Sequence, residues 1–291
     1  MNIKFSKFLT KVIPDSIYVR LLFLKHYKRL PNLRNPQTFG EKLQWLKLYD
    51  RQPEYTMLVD KVLVKEYIKD KIGEQYIIPT LGVWENPEDI DFDSLPKQFV
   101  LKWNHDSGST IIVKDKANLD IPATVSKLKH YREHNGYYYG REWPYKNVKP
   151  LVFAEKYMED EVYHELRDYK WFCFDGKPKV MFIATDRYKE NTDVKFDFFD
   201  TDKKWLNIKN VHENAKTPPQ LPEFFDEMKA LAECLSKGMA HVRVDFFECN
   251  GKVYFGELTL THGSGLLPLE PETWEYTFGS WLTLPKVTKN T

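Results

Sequence analysis

Three groups of residues in this 291-residue chain have types and spacings that could do chemistry. The first is Lys102, in VLKW, followed by the polar run NHDSGS at residues 104–109. A strand lysine beside a loop of small polar residues, with Gly108 free to take positive φ, offers an ammonium, hydroxyls and backbone N–H groups to one anion. A fixed ammonium there would neutralise phosphoryl oxygens. A surface lysine before a solvated hairpin loop has the same pattern. The second group is Arg243-Val244-Asp245, with Glu257 further on. Side chains alternate along a strand, so Arg243 and Asp245 share a face. A turn at Asn250-Gly251 folds the chain back and brings Glu257 near Asp245. Two carboxylates that close repel unless a cation lies between them. Mg²⁺ takes one or two carboxylates together with substrate phosphates. The competing reading is an Arg–carboxylate cross-strand cluster. Val242, Val244, Phe246, Phe255 and Leu258 imply buried strands, where charge is costly without a partner. The third group is Glu155-Lys156-Tyr157-Met158, where an apolar strand stops and bends. Backbone groups there could read the edge of a planar base, and the carboxylate could accept from an exocyclic amine. An ordinary strand end looks the same.

These residues need elements to position them. Residues 35–50 open with a turn and read as a helix. Thr38 and Glu41 form a capping-box pattern, and Leu43, Trp45 and Leu46 give an apolar face. Residues 59–72 read as one further helix, with Val59, Val62, Leu63, Tyr67 and Ile68 on one side and Gly73 at its end. Residues 77–84 are β-branched and apolar, hence a strand. Segments 98–103 and 110–115 read as a hairpin around the NHDSGS loop. A helix at 122–134 and a strand at 150–158 follow. Residues 169–187 form a hairpin turning at Asp175-Gly176, and 194–200 another strand. Residues 222–238 form a helix buried through Phe224, Phe225, Met228, Leu231, Ala232 and Leu235. Residues 241–260 form a hairpin turning at Asn250-Gly251, the strongest local hairpin signal in the chain. Antiparallel hairpins separated by helices predict an α+β fold rather than a doubly wound parallel sheet. Neither GxGxxG nor GxxxxGK[ST] occurs, which excludes Rossmann and P-loop sites on motif grounds.

Composition narrows the function classes. Lys+Arg (43) and Asp+Glu (42) nearly cancel, which disfavours a strongly basic nucleic-acid binder. Cys173, Cys234 and Cys249 show neither metal spacing nor an even disulfide framework, which fits a reducing, cytoplasmic compartment. No apolar run approaches ~20 residues, so no span is expected, and lysines interrupt the start too often for a signal-peptide core. Residues 1–40 carry eight basic side chains and one acid, Asp15, mixed with Phe5, Phe8, Val12, Ile17 and Leu21. Two basic, partly amphipathic helices, broken near Pro14 and ended near Pro31, are predicted. They serve either as a helix pair docked on the core or, over residues 1–34, as a surface that meets anionic lipid or a lipid-linked glycan at the inner face of the membrane.

The phrases VDKVLVKEYI, FVLKWNHDSGS, FAEKYM, HVRVDFF and GELTLTHGSG, in that order from about Val59 to Leu266, resemble the ATP-grasp superfamily. Within it they are similar to the smaller teichuronopeptide-biosynthesis-like (TupA-like) branch. The resemblance implies two α+β subdomains with antiparallel sheets sandwiching a nucleotide. The expected divisions are a basic helical region at 1–55, a small subdomain with the phosphate loop at 56–150, and a large subdomain with the metal site at 151–291. Carried over by position, Lys61 and Lys102 would hold ATP phosphates. Asn104, His105, Ser107, Gly108 and Ser109 would close over them. Glu155, with the backbone of Lys156 and Met158, would read adenine. Asp168, or else Glu165, would take the ribose hydroxyls. Arg243 would meet the γ-phosphate, and Asp245, Glu257 and Thr259 would hold Mg²⁺. Thr259 stands where the wider family usually has Asn, a stronger ligand. Arg187 and the flexible loop His262-Gly263-Ser264 would lie at the acceptor side. The implied reaction joins an amine to a small-molecule or glycan carboxylate through an acyl phosphate. A glycosyltransferase using Asp200 and Asp202, or a nucleotide binder without catalysis, are the alternatives.

Overall fold

The computed structural model describes residues 3–161, 166–186 and 193–286. Helices α1 (Ile3–Val12) and α2 (Asp15–Tyr27) flank Pro14, which cannot continue a helical ladder. The capping box of α3 (Phe39–Tyr49) closes as its sequence predicts. Thr38 Oγ1 accepts from the Glu41 amide at 3.4 Å, and Glu41 Oε2 accepts from the Thr38 amide at 3.2 Å. A separate helix, α4 (Glu54–Val59), ends where the helix expected over 59–72 should start, and that helix begins only at Val64, as α5 (Val64–Ile72). Asp60 separates the two: its Oδ1 accepts from the amides of Val62 at 2.9 Å and Leu63 at 3.1 Å. A short carboxylate that bonds its own backbone competes with helix in this way. The break leaves Leu63 exposed, against expectation, and frees Lys61 from any helix face.

A small antiparallel sheet contains β1 (Thr80–Trp84), β2 (Phe99–Trp103), β3 (Ile111–Val113) and β4 (Val152–Lys156), in the order β1-β4-β2-β3. Phe99, Leu101 and Trp103 alternate into a core with Phe92, Val152 and Ala154. Helix α6 (Ile121–Tyr131) covers that face through Leu128, whose carbonyl accepts from Trp103 Nε1 at 3.0 Å. The short α7 (Gly136–Gly140) follows. Because β2 alternates, Val100 and Lys102 face the other way.

The large antiparallel sheet contains β5 (Arg167–Phe174), β6 (Lys177–Thr185), β7 (Lys195–Asp200) and β8 (Trp205–Leu206). After α8 (Phe225–Ser236) come β9 (His241–Cys249) and β10 (Lys252–Thr259), and the order is β10-β9-β5-β6-β7-β8. Both expected hairpin turns form, with Asp175 and Gly176, and Asn250 and Gly251, all at positive φ. One face packs Trp171, Val244 and Phe246 against Ile68 of α5 and Phe225 and Met228 of α8. The other face buries Phe172, Phe174 and Phe182 under Phe39 and Leu43 of α3 and Phe278 of α9 (Thr273–Trp281).

Strand β4 pairs with β1 and β2, so the small sheet runs past residue 150. Helix α3 packs in one core of the large sheet and α5 in the other.

Candidate active site

The two sheets face each other across a cleft of about 1070 Å³, lined by both. Lys102 points into it from β2, and Glu155 on β4 lies beside it at 2.7 Å. Glu155 also binds Lys65 Nζ at 2.6 Å. Burial works against all three charges. Around Lys102 the carboxylates outweigh it, Glu155 first and then Glu257 and Asp168 from the opposite sheet, and raise its pKa above the ordinary lysine value. Burial wins at Lys65, whose pKa is lowered despite Glu155. Burial pushes the Glu155 carboxyl up, but Lys102 and Lys65 hold it below the usual range.

The loop after β2 lines the same cleft through Ser107, Gly108 and Ser109. Gly108 takes φ +92° in open space, as expected of a residue that must turn the loop. Ser109 Oγ donates to Asp106, and Lys61 Nζ donates to the Asp106 carbonyl. Lys61 also reaches across to Glu257, 3.8 Å away. Two loop residues are tied into the fold, and of them His105 lines the cleft. Asn104 is fully buried: its Nδ2 donates to Asp60 Oδ2 at 2.8 Å and the Lys149 carbonyl at 3.0 Å, and its Oδ1 accepts from the Leu151 amide at 2.8 Å. With its polar atoms spent, it fixes the Asp60 turn. His105 is likewise buried, its ring nitrogens facing Asn104 Oδ1 and the Arg132 carbonyl. Burial pushes its pKa down to about 4, so the ring is neutral and braces the loop.

On the large sheet a β-bulge decides the chemistry. Val253 and Phe255 of β10 point into the core, and strict alternation would send residue 257 after them. The register shifts between Phe255 and Glu257, so Glu257 pairs with Asp245 and Leu258 takes the core position. Gly256 is the inserted residue, and a Cβ there would lie 3.1 Å from the Asp245 carbonyl oxygen. Bulges re-aim side chains in this way.

Arg243 Nε and Nη2 grip Asp245 at 2.6 and 2.7 Å, and Nη2 lies 3.2 Å from Glu257 and 3.0 Å from Thr259 Oγ1. Lys170 donates to Asp245 and lies 3.4 Å from Asp168. Burial would raise the Asp245 pKa, but Arg243 and Lys170 hold it down at about 2. The cation between the two carboxylates is therefore the guanidinium, as the cross-strand reading has it. The donor set still suits Mg²⁺: carboxylate and hydroxyl oxygens of Asp245, Glu257 and Thr259 converge, and Glu257 is partly exposed to the cleft. Among the described residues no group of three or more His, Cys, Asp or Glu forms a complete cage.

His262 lines the cleft with Gly263 and Ser264. Its Nδ1 accepts from Arg243 Nη1 at 2.8 Å, so its Nε2–H donates to Asn210 Oδ1 at 2.8 Å. Burial lowers its pKa well below the ordinary value. It orients Arg243 from the cleft wall. The loop His262-Gly263-Ser264 is not loose. Lys47 Nζ donates to the Ser264 carbonyl at 2.8 Å, and Gln44 Nε2 to the Gly265 carbonyl at 2.7 Å. Gly263, Ser264 and Gly265 all take positive φ, and a Cβ on Gly265 would strike Leu43 and Gln44.

Lys156 and Met158 line the cleft beside Ile78, Val100 and Phe153, an apolar end suited to a flat ring. The Lys156 amide already donates to the Pro79 carbonyl at 3.0 Å, so reading by its backbone must use the carbonyl. Asp168 lines the cleft. Arg187 and Glu165 lie outside the described residues. Asp200 Oδ1 accepts from the amides of Asp202 and Lys204, both at 2.9 Å, so this pair builds the β7–β8 turn and does not line the cleft. Residues that the sequence did not flag also enter. Lys65 and Lys170 hold the carboxylates, and Glu142 and Tyr145 line the end nearest Ser264. Burial raises the Glu142 pKa and lowers that of neighbouring Lys47.

A family model described as TupA-like ATPgrasp matches residues 41–282. The chain belongs to the TupA-like ATP-grasp family. No curated protein matches it. Among solved structures, D-alanine–D-alanine ligase from Bacillus anthracis complexed with ATP is 16% identical with a TM-score of 0.41, over 76% of this chain and 55% of that one. The ATP-grasp ligase PsnB with its minimal precursor is 12% identical with a TM-score of 0.43, over 76% and 59%. D-alanine–D-alanine ligase from Helicobacter pylori is 16% identical with a TM-score of 0.44, over 84% and 69%. This TupA-like ATP-grasp chain thus spans little more than half the length of the first two.

Proposed function

We propose that this protein is an ATP-dependent carboxylate–amine ligase working through an acyl phosphate. One observation carries the reading: Lys61 and Lys102 share a single cleft with Arg243, Asp245 and Glu257 of the opposite sheet. A triphosphate between them meets cations on both sides. Lys61, Lys102 and the backbone around Gly108 hold phosphate oxygens. The apolar end and the Met158 segment take adenine, with Glu155 keeping the lysines in place, and Asp168 takes the ribose. Arg243, oriented by His262, faces the γ-phosphoryl group. Asp245, Glu257 and Thr259 hold Mg²⁺, which when bound draws charge off the transferring oxygens. The protein's task is placing charge rather than supplying a nucleophile.

A substrate carboxylate attacks the γ-phosphorus, and the bond to ADP breaks. An amine then attacks the carbonyl carbon, and phosphate leaves with the electron pair. Glu142, raised in pKa inside the cleft, is placed to take a proton from an arriving ammonium. The acceptor is a uronic-acid-type carboxylate in surface polysaccharide biosynthesis, joined to an amino acid or amine in the bacterial cytoplasm. Screening sugar acids against amines for ADP and phosphate release tests this. The reading expects release only when both partners are present. ATP binding without release under every pairing would favour a nucleotide binder, consistent with an Asp245 already saturated by Arg243 and Lys170.

A further inference from the structure

Helices α1 and α2 each show solvent an apolar stripe. Phe5, Phe8 and Val12 are exposed on α1 at i, i+3 and i+7, and Ile17, Leu21 and Leu24 on α2 at i, i+4 and i+7. Each set shares one helix face. Leu30 beyond α2 is 60% exposed. Helix α2 has already spent its other apolar face, since Tyr18, Val19 and Phe23 are buried. No other described element exposes three large apolar side chains. Exposed apolar side chains repeated along one helix face mark a candidate interaction surface.

Charge identifies the partner. Residues 1–40 hold eight Lys and Arg and one Asp, a local balance of +7 against +1 for the chain, so residues 41–291 carry −6. Lys11, Lys25, Lys28 and Arg34 are exposed and form no ion pair with any described residue. The acid, Asp15, is turned inward onto Arg51 at 2.8 Å and Arg141 at 3.1 Å. Apolar stripes rimmed by unpaired cations match the headgroup boundary of an anionic bilayer.

We infer that α1 and α2 seat the protein on an anionic lipid surface through Phe5, Phe8, Val12, Ile17, Leu21 and Leu24. The seat lies close to the cleft. Tyr18 OH donates to the Tyr139 carbonyl at 3.3 Å, and the Arg141 guanidinium stacks 3.8 Å over the Tyr18 ring. The next residue, Glu142, lines the cleft. Docking would therefore bring the Glu142 end of the cleft near the bilayer. Seating itself needs no nucleotide and stands apart from the ligase reading.

The test is co-sedimentation of the full chain with phosphatidylcholine vesicles containing about 30% phosphatidylglycerol, and with phosphatidylcholine alone. The protein should pellet with the anionic vesicles, less so at high salt, and stay soluble with the neutral ones. Leu21→Glu, and separately the pair Lys11→Glu with Lys25→Glu, should each weaken binding by about tenfold or more. All these side chains are exposed, so the melting temperature should stay within the normal range for surface changes. Failure of the parent protein to pellet, or variants that bind like it, would overturn the inference. So would a dimer by light scattering that Leu21→Glu dissolves, which would give the stripes to a second copy.

Discussion

Lys102 can be removed without orphaning its partner, because Glu155 keeps Lys65 at 2.6 Å. Lys102→Ala should therefore leave the fold intact and weaken ATP binding. A charge-assisted contact is worth about 1.5–3 kcal/mol, so calorimetry should show affinity falling by about 10- to 100-fold. Unchanged affinity would remove Lys102 from the phosphate site. Glu257→Gln keeps the shape and the contact to Arg243 but removes a negative oxygen. It should abolish Mg²⁺-dependent phosphate release while ADP still binds, and normal release would move the metal elsewhere. The sequence pointed to Lys102, Arg243 and Asp245 through strand alternation and to Glu257 through the Asn-Gly turn alone, since alternation by itself would send residue 257 to the core. It could not show Lys65 or Glu142, whose places depend on packing between distant segments. Lys170 left a faint signal, two residues from Asp168 on the same strand face. His105 and His262 line the cleft as the motifs place them, while Asn104 is buried behind it; a polar residue in a motif reads alike whether it faces the cleft or braces the residue that does.

Two local irregularities aim the site, and propensity predicts neither. The Asp60 turn separates α4 from α5, delays the expected helix to Val64 and delivers Lys61 to the cleft. The bulge at Gly256 carries Glu257 from the core face to Asp245. Periodicity counts residues evenly and passes over both, whereas the hairpin turns and the capping box, fixed by a few adjacent residues, appear as expected. Gly256→Val should press a branched side chain on the Asp245 carbonyl and the Phe247 ring, both within 3.1 Å of the added Cβ. A loss of about 1–3 kcal/mol in urea unfolding is expected, together with reduced Mg²⁺-dependent turnover. Full stability with full turnover would show that the bulge does not position Glu257.

For the whole molecule, acid should be destabilising in two stages. His105 and His241 are held neutral by burial, with pKa values lowered to about 4 and about 3. Below the ordinary histidine value of 6.5 the unfolded chain takes up protons that the folded one refuses. Their contribution is complete above pH 6.5 and is lost as pH falls toward those values, at up to about 1.4 kcal/mol per pH unit for each. Asp245, held at about 2, adds a second loss below its ordinary 3.8. The melting temperature should fall from pH 7 to pH 5 and more steeply below pH 4, and a flat profile between 7 and 5 would contradict the buried neutral rings. The two-sheet α+β plan was legible because each hairpin is local, but the assignment of β4 to the small sheet depends on a long-range pairing that alternation does not encode. What the plan is for reduces to where a nucleotide sits. A crystal structure with Mg²⁺ and a non-hydrolysable ATP analogue decides it. The triphosphate should lie between Lys61 and Lys102 on one side and Asp245 and Glu257 on the other, under the loop of Gly108. An analogue bound outside that cleft, or an empty cleft at saturating analogue, would contradict the account.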